Sequence, residues 1–230
     1  MADKQSHKVL VVDDDSDILE LLKYNLVKEG YDVKTAEDGK KAVSLAKSFL
    51  PELILLDIMM PNQDGVETCR QLREIPEVAN THITFLTARA EEYSEVAAFD
   101  AGADDYITKP IKPRALMSRI SALFRKEKKN KNKSTPKVVA GGLTIDKSSY
   151  TVNMNGGQFT LPKKEFELLY FLAQNPNKVF SRDDLLQNIW GTDVYVLART
   201  VDVHIRKVRE KIGDGYITTV KGVGYKFEVK

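Results

Sequence analysis

Short apolar runs, each closed by a polar residue or a turn signal, set the rhythm of the first half of the chain. "KVLVVD" (8–13), "YDVKTA" (31–36), "LILLD" (53–57), "ITFLT" (83–87) and "DYIT" (105–108) predict strands. Between them Ile18, Leu22 and Leu26 recur at helical spacing, as do Leu116, Ile120 and Leu123 near the end of this half. Three of the runs are almost continuously aliphatic, which fits a sheet covered on both faces. Strands alternating with helices in this way predict an α/β, doubly wound, five-stranded parallel sheet.

The rhythm then changes. Extended pieces at 143–145, 150–154 and 158–161 are broken by Gly156-Gly157. Helical segments follow at about 162–174, 181–189 and 199–212, and "YITTVKGVGYKFEV" reads as a closing hairpin that turns at Gly222. Helices followed by a β-hairpin predict an α+β winged helix-turn-helix. Between the halves, "RKEKKNKNKSTPK" (125–137) has no apolar residue and ends in Ser-Thr-Pro. Such a segment buries too little surface to offset its ordering entropy, so it reads as a flexible basic linker; its lysines also suit a tail that touches nucleic acid. The expected organisation is one domain over 1–124, a linker over 125–137 and a second domain over 138–230.

Charge sharpens this division. The chain of 230 residues has a net charge of +2, yet residues 1–124 carry 15 Lys+Arg against 22 Asp+Glu and residues 125–230 carry 20 against 11. An acidic half joined to a basic half suggests two jobs, the basic one with a polyanionic partner. The linker holds 7 of those 20 basic residues, so the placement of charge matters more than its total. Cys69 is the only cysteine, and His7, His82 and His204 are scattered, which excludes a disulfide framework and a zinc site. "MADKQSHK" lacks the apolar core of a signal peptide, and no run reaches the roughly 18 apolar residues that span a bilayer. The expectation is a cytoplasmic protein with no membrane partner.

The candidate chemistry lies at the strand ends. Asp13, Asp14 and Asp15 follow the first strand, Asp57 ends the third, Thr87 ends the fourth and Lys109 follows the fifth. In a parallel sheet these positions share one edge, the edge where such folds bind ligands. Clustered carboxylates without Cys or His suit Mg²⁺. Each residue also has a plainer reading: Asp57 as a strand-ending turn former, Asp15 as a helix cap and Tyr106 as an ordinary strand aromatic.

"VVDDD", "LILLDIMMP", "FLTARA" and "GADDYITKP" stand in order and in register, and over residues 7–124 they resemble the receiver domain of two-component response regulators. The resemblance implies a flavodoxin-like fold. It implies that Asp57 is the phosphoacceptor for a sensor histidine kinase, and that Mg²⁺ is held by Asp14, by Asp13 through water, by Asp57 and by the Met59 carbonyl. Thr87 would bond the phosphoryl group, Lys109 would pair with its oxygens, and Tyr106 would be the switch aromatic that turns inward as Thr87 moves. Lys109-Pro110 resembles the family's cis bond, followed here by Ile111 where Phe is common. Met59 and Arg89 occupy positions that tune hydrolysis of the phosphoaspartate, and Met59 cannot orient a water, so a long-lived phosphoryl group is expected. Asp100, Asp104, Asp105, Arg114 and Arg119 resemble a dimer face, with Asp105 and Arg119 matching one of its ion pairs. Ala115 and Glu95 depart from the usual partners there.

In the basic half, "ARTVDVHIRKVREKI" places Val201, Ile205, Val208 and Ile212 on one stripe. Arg199, Val203, Arg206, Lys207 and Glu210 lie opposite, flanked by Thr200 and His204. That face suits a major groove, and equally a solvated helix surface. With "TTVKGVGYKF" it resembles the winged-helix output domain of the OmpR/PhoB family over residues 138–230. The resemblance implies that Thr200, Val203, His204, Arg206 and Lys207 face double-stranded DNA, beside Arg199, and that Lys221 approaches the minor groove. Lysine at 207 and 221, where relatives have Arg, lacks the bidentate fork for base discrimination. "WGTDVYVLA" (190–198) resembles a loop that touches a sigma subunit of RNA polymerase, with Trp190 more suited to the core and Val194, Tyr195 and Val196 open between core and contact.

The combined expectation is a phosphorylation-activated DNA-binding regulator that dimerises and occupies direct-repeat half-sites, not an enzyme turning over external substrates. A free-standing Mg²⁺ phosphohydrolase leaves the basic half unexplained, and a constitutive architectural DNA binder leaves the acidic site unexplained.

Overall fold

The computed structural model describes residues 6–88, 101–130, 137–191 and 199–228, with backbone alone over 126–130. The chain divides into two compact units, Met1–Lys128 and Lys129–Lys230. In the first, β1 (Lys8–Val12), β2 (Asp32–Ala36), β3 (Leu53–Asp57), β4 (His82–Thr87) and β5 (Asp105–Thr108) form one sheet in the order β2-β1-β3-β4-β5. Every pairing is parallel. β3 and β4 are buried at every residue, whereas β2 at the edge alternates between exposed and partly buried as far as Thr35 and is buried only at Ala36. The aliphatic runs are therefore central strands, as their composition requires.

The helices described in this unit are α1 (Ser16–Lys28), α2 (Gly39–Phe49), α3 (Gly65–Glu74) and α4 (Pro113–Asn130). Asp15, Asp38 and Asp64 cap the first three, each accepting from backbone N–H groups of the first turn. α1 and α4 pack Leu19, Leu22, Leu26, Leu116, Ile120 and Phe124 against Val9, Val11, Leu53 and Leu55 of the sheet. The order reverses between β1 and β3, which opens a crevice beyond their carboxyl ends.

One expectation is corrected here. Residues 125–130 continue α4 rather than beginning a coil. Arg, Lys and Glu are good helix formers, and a helix already nucleated by packing extends at little cost per residue.

The second unit opens with an antiparallel sheet, β6 (Lys137–Ala140), β7 (Leu143–Asp146), β8 (Thr151–Met154) and β9 (Gly157–Thr160). Helices α5 (Lys163–Gln174), α6 (Arg182–Ile189) and α7 (Arg199–Ile212) follow. A second sheet joins β10 (Phe180–Ser181) to β12 (Gly224–Phe227), which pairs with β11 (Ile217–Val220). Two strands escaped the pattern. β6 looks like linker because only Val138 and Val139 mark it, and β10 is two residues long and defined by its partner. Gly224 makes that pairing feasible, since a Cβ there would lie 1.9 Å from the Phe180 carbonyl oxygen.

Candidate functional site

The sheet delivers the acidic cluster to one edge. Asp13 follows β1, with its N–H donating to Ala36 O at 3.2 Å, and Asp57 ends β3. Behind Asp57, Ile58 N donates to Leu86 O at 3.2 Å and Gly65 N to Ile58 O at 2.9 Å. A Cβ on Gly65 would stand 2.0 Å from the Asp57 carbonyl oxygen, so glycine alone lets α3 start this close to the strand end. The Asp57 carboxylate is then held at both oxygens: Lys109 Nζ lies 2.9 Å from Oδ1, and Met59 N donates to Oδ2 at 3.1 Å. Lys109 Nζ also stands 2.8 Å from Asp13 Oδ2, and Lys109 N donates to Thr87 O at 2.6 Å, tying the ends of β4 and β5 together. The Lys109-Pro110 bond is cis.

Electrostatics leave this cluster short of positive charge. Asp57 is only 4% exposed and Asp13 fully buried, while Asp14 is open to solvent. Burial pushes the Asp57 carboxyl above its ordinary range; Lys109 opposes this and the charges of Asp13 and Asp14 reinforce it. Burial by itself would lower the Lys109 ammonium, but Asp13 and Asp57 outweigh it and hold it above its usual value. Asp13, Asp14 and Asp57 can each offer one oxygen, all within 4.8 Å of one another. Asp13 Oδ2 is buried against the Lys109 ammonium at 2.8 Å, a charge-assisted contact that uses one of its lone pairs. Carboxylate oxygens with a spare buried lone pair fit a hard divalent cation.

The remaining receiver positions divide. Thr87 is buried at the end of β4, and Tyr106 is turned inward at 8% exposure. Met59 projects outward at 76% exposure. Asp104 departs from expectation: it is 1% exposed and accepts from Arg73 Nη2 at 2.8 Å and from Ile83 N at 2.8 Å. Arg73 also donates to the carbonyls of Gly102, Ala79 and Thr81. Asp104 is thus an internal staple between α3 and the β4–β5 connection, not part of a dimer face. Asp105 and Arg119 pair with each other inside the chain at 2.7 Å, and Arg114 and Ala115 are exposed. Arg89, Glu95 and Asp100 lie outside the described residues.

In the second unit, Val201, Ile205, Val208 and Ile212 of α7 are buried as a stripe. Arg199 and Arg206 are exposed, Val203 and Lys207 are partly buried, and Lys221 is exposed at the hairpin tip. Thr200 and His204 depart from expectation and turn inward. His204 is 2% exposed, with Nδ1 2.9 Å from Thr200 O and its ring edge-on to Trp190 at 5.0 Å. Both flank the stripe; the indole covers His204, whose ring in turn is bonded to the Thr200 carbonyl. Trp190 belongs to the core. Val194, Tyr195 and Val196 lie outside the described residues.

Pattern reading missed a polar cluster beside the turn end of the hairpin. Arg182 Nε and the Tyr225 hydroxyl both donate to Asp202 Oδ1 at 2.7 Å. Burial raises the Tyr225 phenol above its usual value, and acceptance by Asp202 adds to this. No spacing rule connects residues from three separate elements.

Both units resemble known protein families. The profile of the "Response regulator receiver domain" matches residues 9–121, and that of "Transcriptional regulatory protein, C terminal" matches residues 156–227. The chain is 43% identical over 233 residues to the transcriptional regulatory protein ResD of Bacillus subtilis, covering 96% of each chain. It is 42% identical over 234 residues to the alkaline phosphatase synthesis transcriptional regulatory protein PhoP of the same organism, again covering 96% of each. Among solved structures, response regulator DrrB, a Thermotoga maritima OmpR/PhoB homolog, is 36% identical with a TM-score of 0.51, covering 97% of this chain and all of its own.

Proposed function

The chain belongs to the OmpR/PhoB family of two-component response regulators, and from that premise we propose that Asp57 is its phosphoacceptor and that phosphorylation promotes receiver dimerisation and operator binding. The observation that carries this is the pairing of Lys109 Nζ with both Asp13 Oδ2 and Asp57 Oδ1 beside a third carboxylate, Asp14. In the reaction, an Asp57 oxygen attacks the phosphorus of a phosphohistidine on the kinase. The new O–P bond forms as the N–P bond breaks, and the imidazole leaves. Phosphoryl transfer demands positioning and charge neutralisation more than covalent help. Met59 N fixes the carboxylate's rotation, Lys109 pairs with oxygens of the incoming group and the Thr87 hydroxyl donates to one of them. Mg²⁺, held by Asp13, Asp14, Asp57 and the Met59 carbonyl, would supply the remaining neutralisation.

The phosphoryl group brings about −1.5 to −2 charge to a buried edge. Lys109 and Thr87 respond to it together, because the Lys109 N–H is bonded to the Thr87 carbonyl, and Tyr106, which already lies inward, is held there. Receivers then dimerise through the face that carries Asp105 and Arg119. Dimerisation raises the effective concentration of the second DNA-binding domain at a neighbouring direct-repeat half-site. Arg199, Val203, Arg206 and Lys207 face the major groove, and Lys221 faces the minor groove. Residues 190–198 are the segment proposed to meet a sigma subunit of RNA polymerase. Among the described residues no helix is long and apolar enough to cross a membrane. The proposed place of work is the cytoplasm.

The chemistry is tested by intact-mass measurement after incubation with acetyl phosphate. One phosphoryl group is expected on the wild type with Mg²⁺ present, and none on Asp57→Ala or after chelation. Equal labelling of Asp57→Ala would move the acceptor elsewhere.

A further inference from the structure

Asp202 is an acid in the first turn of α7, a helix whose exposed face is basic. Near phosphates a carboxylate there opposes binding, so its neighbourhood should show what it does instead. Its Oδ1 accepts from Arg182 Nε and from the Tyr225 hydroxyl, both at 2.7 Å. Arg182 Nη2 also donates to the Tyr225 hydroxyl at 3.3 Å, and its guanidinium lies 5.1 Å from the Tyr225 ring centroid. These residues come from the first turn of α6, the first turn of α7 and the second strand of the hairpin. Two turns further along the same side of α7, Arg209 donates from Nε and Nη2 to the Ile217 carbonyl and from Nη2 to Thr219 Oγ1. Its guanidinium stands 5.7 Å from the same Tyr225 ring. The helix is therefore bonded to both hairpin strands, at two levels, through charge-assisted contacts.

We infer that Asp202 and Tyr225 are positioning residues for sequence reading: with Arg182 they hold the hairpin tip at a fixed offset from the exposed face of α7. This rests on the DNA-binding reading of the second unit. Lys221 at the tip and Arg206 on the helix then meet their grooves together rather than independently. Attraction to phosphates in general does not need that offset, whereas a sequence read in two grooves at once does. The cluster should therefore govern discrimination between sequences, not affinity for DNA as such.

The test uses the full-length chain and two duplexes of equal length, one recovered from a random-sequence library by the wild type and one scrambled. Tyr225→Phe keeps the ring and deletes one oxygen; Asp202→Asn keeps the shape and deletes the charge. Each is expected to lower the ratio of selected to scrambled affinity about tenfold, and the double variant no further, as for members of one network. The loss should spread over bases read by the helix and by the tip, with the salt dependence on the scrambled duplex and the far-ultraviolet melting midpoint of Tyr225→Phe close to wild type. Equal loss on both duplexes, additive losses, or a loss confined to one base pair would each overturn the inference, the last by making Asp202 a direct base contact. A wild type that enriches no sequence would defeat the DNA reading itself, a result distinct from all of these.

Discussion

Lys109 Nζ lies 2.9 Å from Asp57 Oδ1, and the same nitrogen lies 2.8 Å from Asp13 Oδ2. One ammonium thus spans the two most buried carboxylates of the cluster. Lys109→Met deletes it while keeping the stem. Removing one partner of a buried pair costs about 3–5 kcal/mol, less here because the Lys109 side chain remains partly exposed. The site also becomes more negative, so Mg²⁺ should bind more tightly, by several-fold. Calorimetric Mg²⁺ titration and chemical denaturation of the two proteins check both directions. Weaker Mg²⁺ binding by the variant would contradict the electrostatic account.

The Asp57 carboxyl titrates above its ordinary range, chiefly through burial. Between the ordinary value and the raised one, the folded chain holds more protons than the unfolded chain, so stability falls as pH rises through that window. Above it the penalty is complete. Asp57→Asn removes it and should raise the melting temperature at neutral pH, with the advantage shrinking as pH drops toward the ordinary carboxylate range. Mg²⁺ should narrow the gap from the other side, stabilising the wild type by about 2.7 kcal/mol at a hundred times its Kd. Melting curves across pH, with and without Mg²⁺, read both effects.

Gly65→Ala forces a methyl group to within 2.0 Å of the Asp57 carbonyl oxygen. The backbone on one side must yield, at about 1–3 kcal/mol by analogy with overpacking. Displacing a reacting group by about 1 Å can cost 10²-fold in rate. Phosphorylation by acetyl phosphate should therefore slow far more than stability alone explains, while Gly30→Ala, which strains a left-handed turn (φ 89°) but brings no atom within 4 Å of the added Cβ, should lose stability and still phosphorylate normally.

The phosphoaspartate should be long-lived, because the side chain exposed beside it is the thioether of Met59, which cannot aim a water. Met59→Asn introduces an amide that can. Hydrolysis followed by loss of the phosphoryl mass should accelerate several-fold. An unchanged lifetime would remove the side chain at 59 from the account.

Much of this was legible in the sequence because burial and chemistry left marks at short range. The strand "LILLD" reads as buried on both faces, and Asp57 falls where a parallel sheet places its sites. Asp13, Thr87 and Lys109 follow by the same rule from other strands. What escaped depends on contacts that no local pattern encodes. Asp104 and Asp105 are adjacent and identical in type, yet one faces Arg73 in the interior and the other Arg119 near the surface. Thr200 and His204 flank an apolar stripe, and His204 is taken inside against Trp190, from a separate helix end. The six residues after Phe124 look like linker by composition, but composition does not register a helix already packed upstream.

The central claim is that phosphorylation of Asp57 controls DNA occupancy. Full-length wild type and Asp57→Ala are titrated onto a labelled duplex recovered by selection from the source genome, with and without beryllofluoride and Mg²⁺. Beryllofluoride should tighten wild-type binding at least tenfold, with two chains per duplex, and leave Asp57→Ala at the level of untreated wild type. Occupancy indifferent to both the phosphoryl mimic and the substitution would contradict the switch.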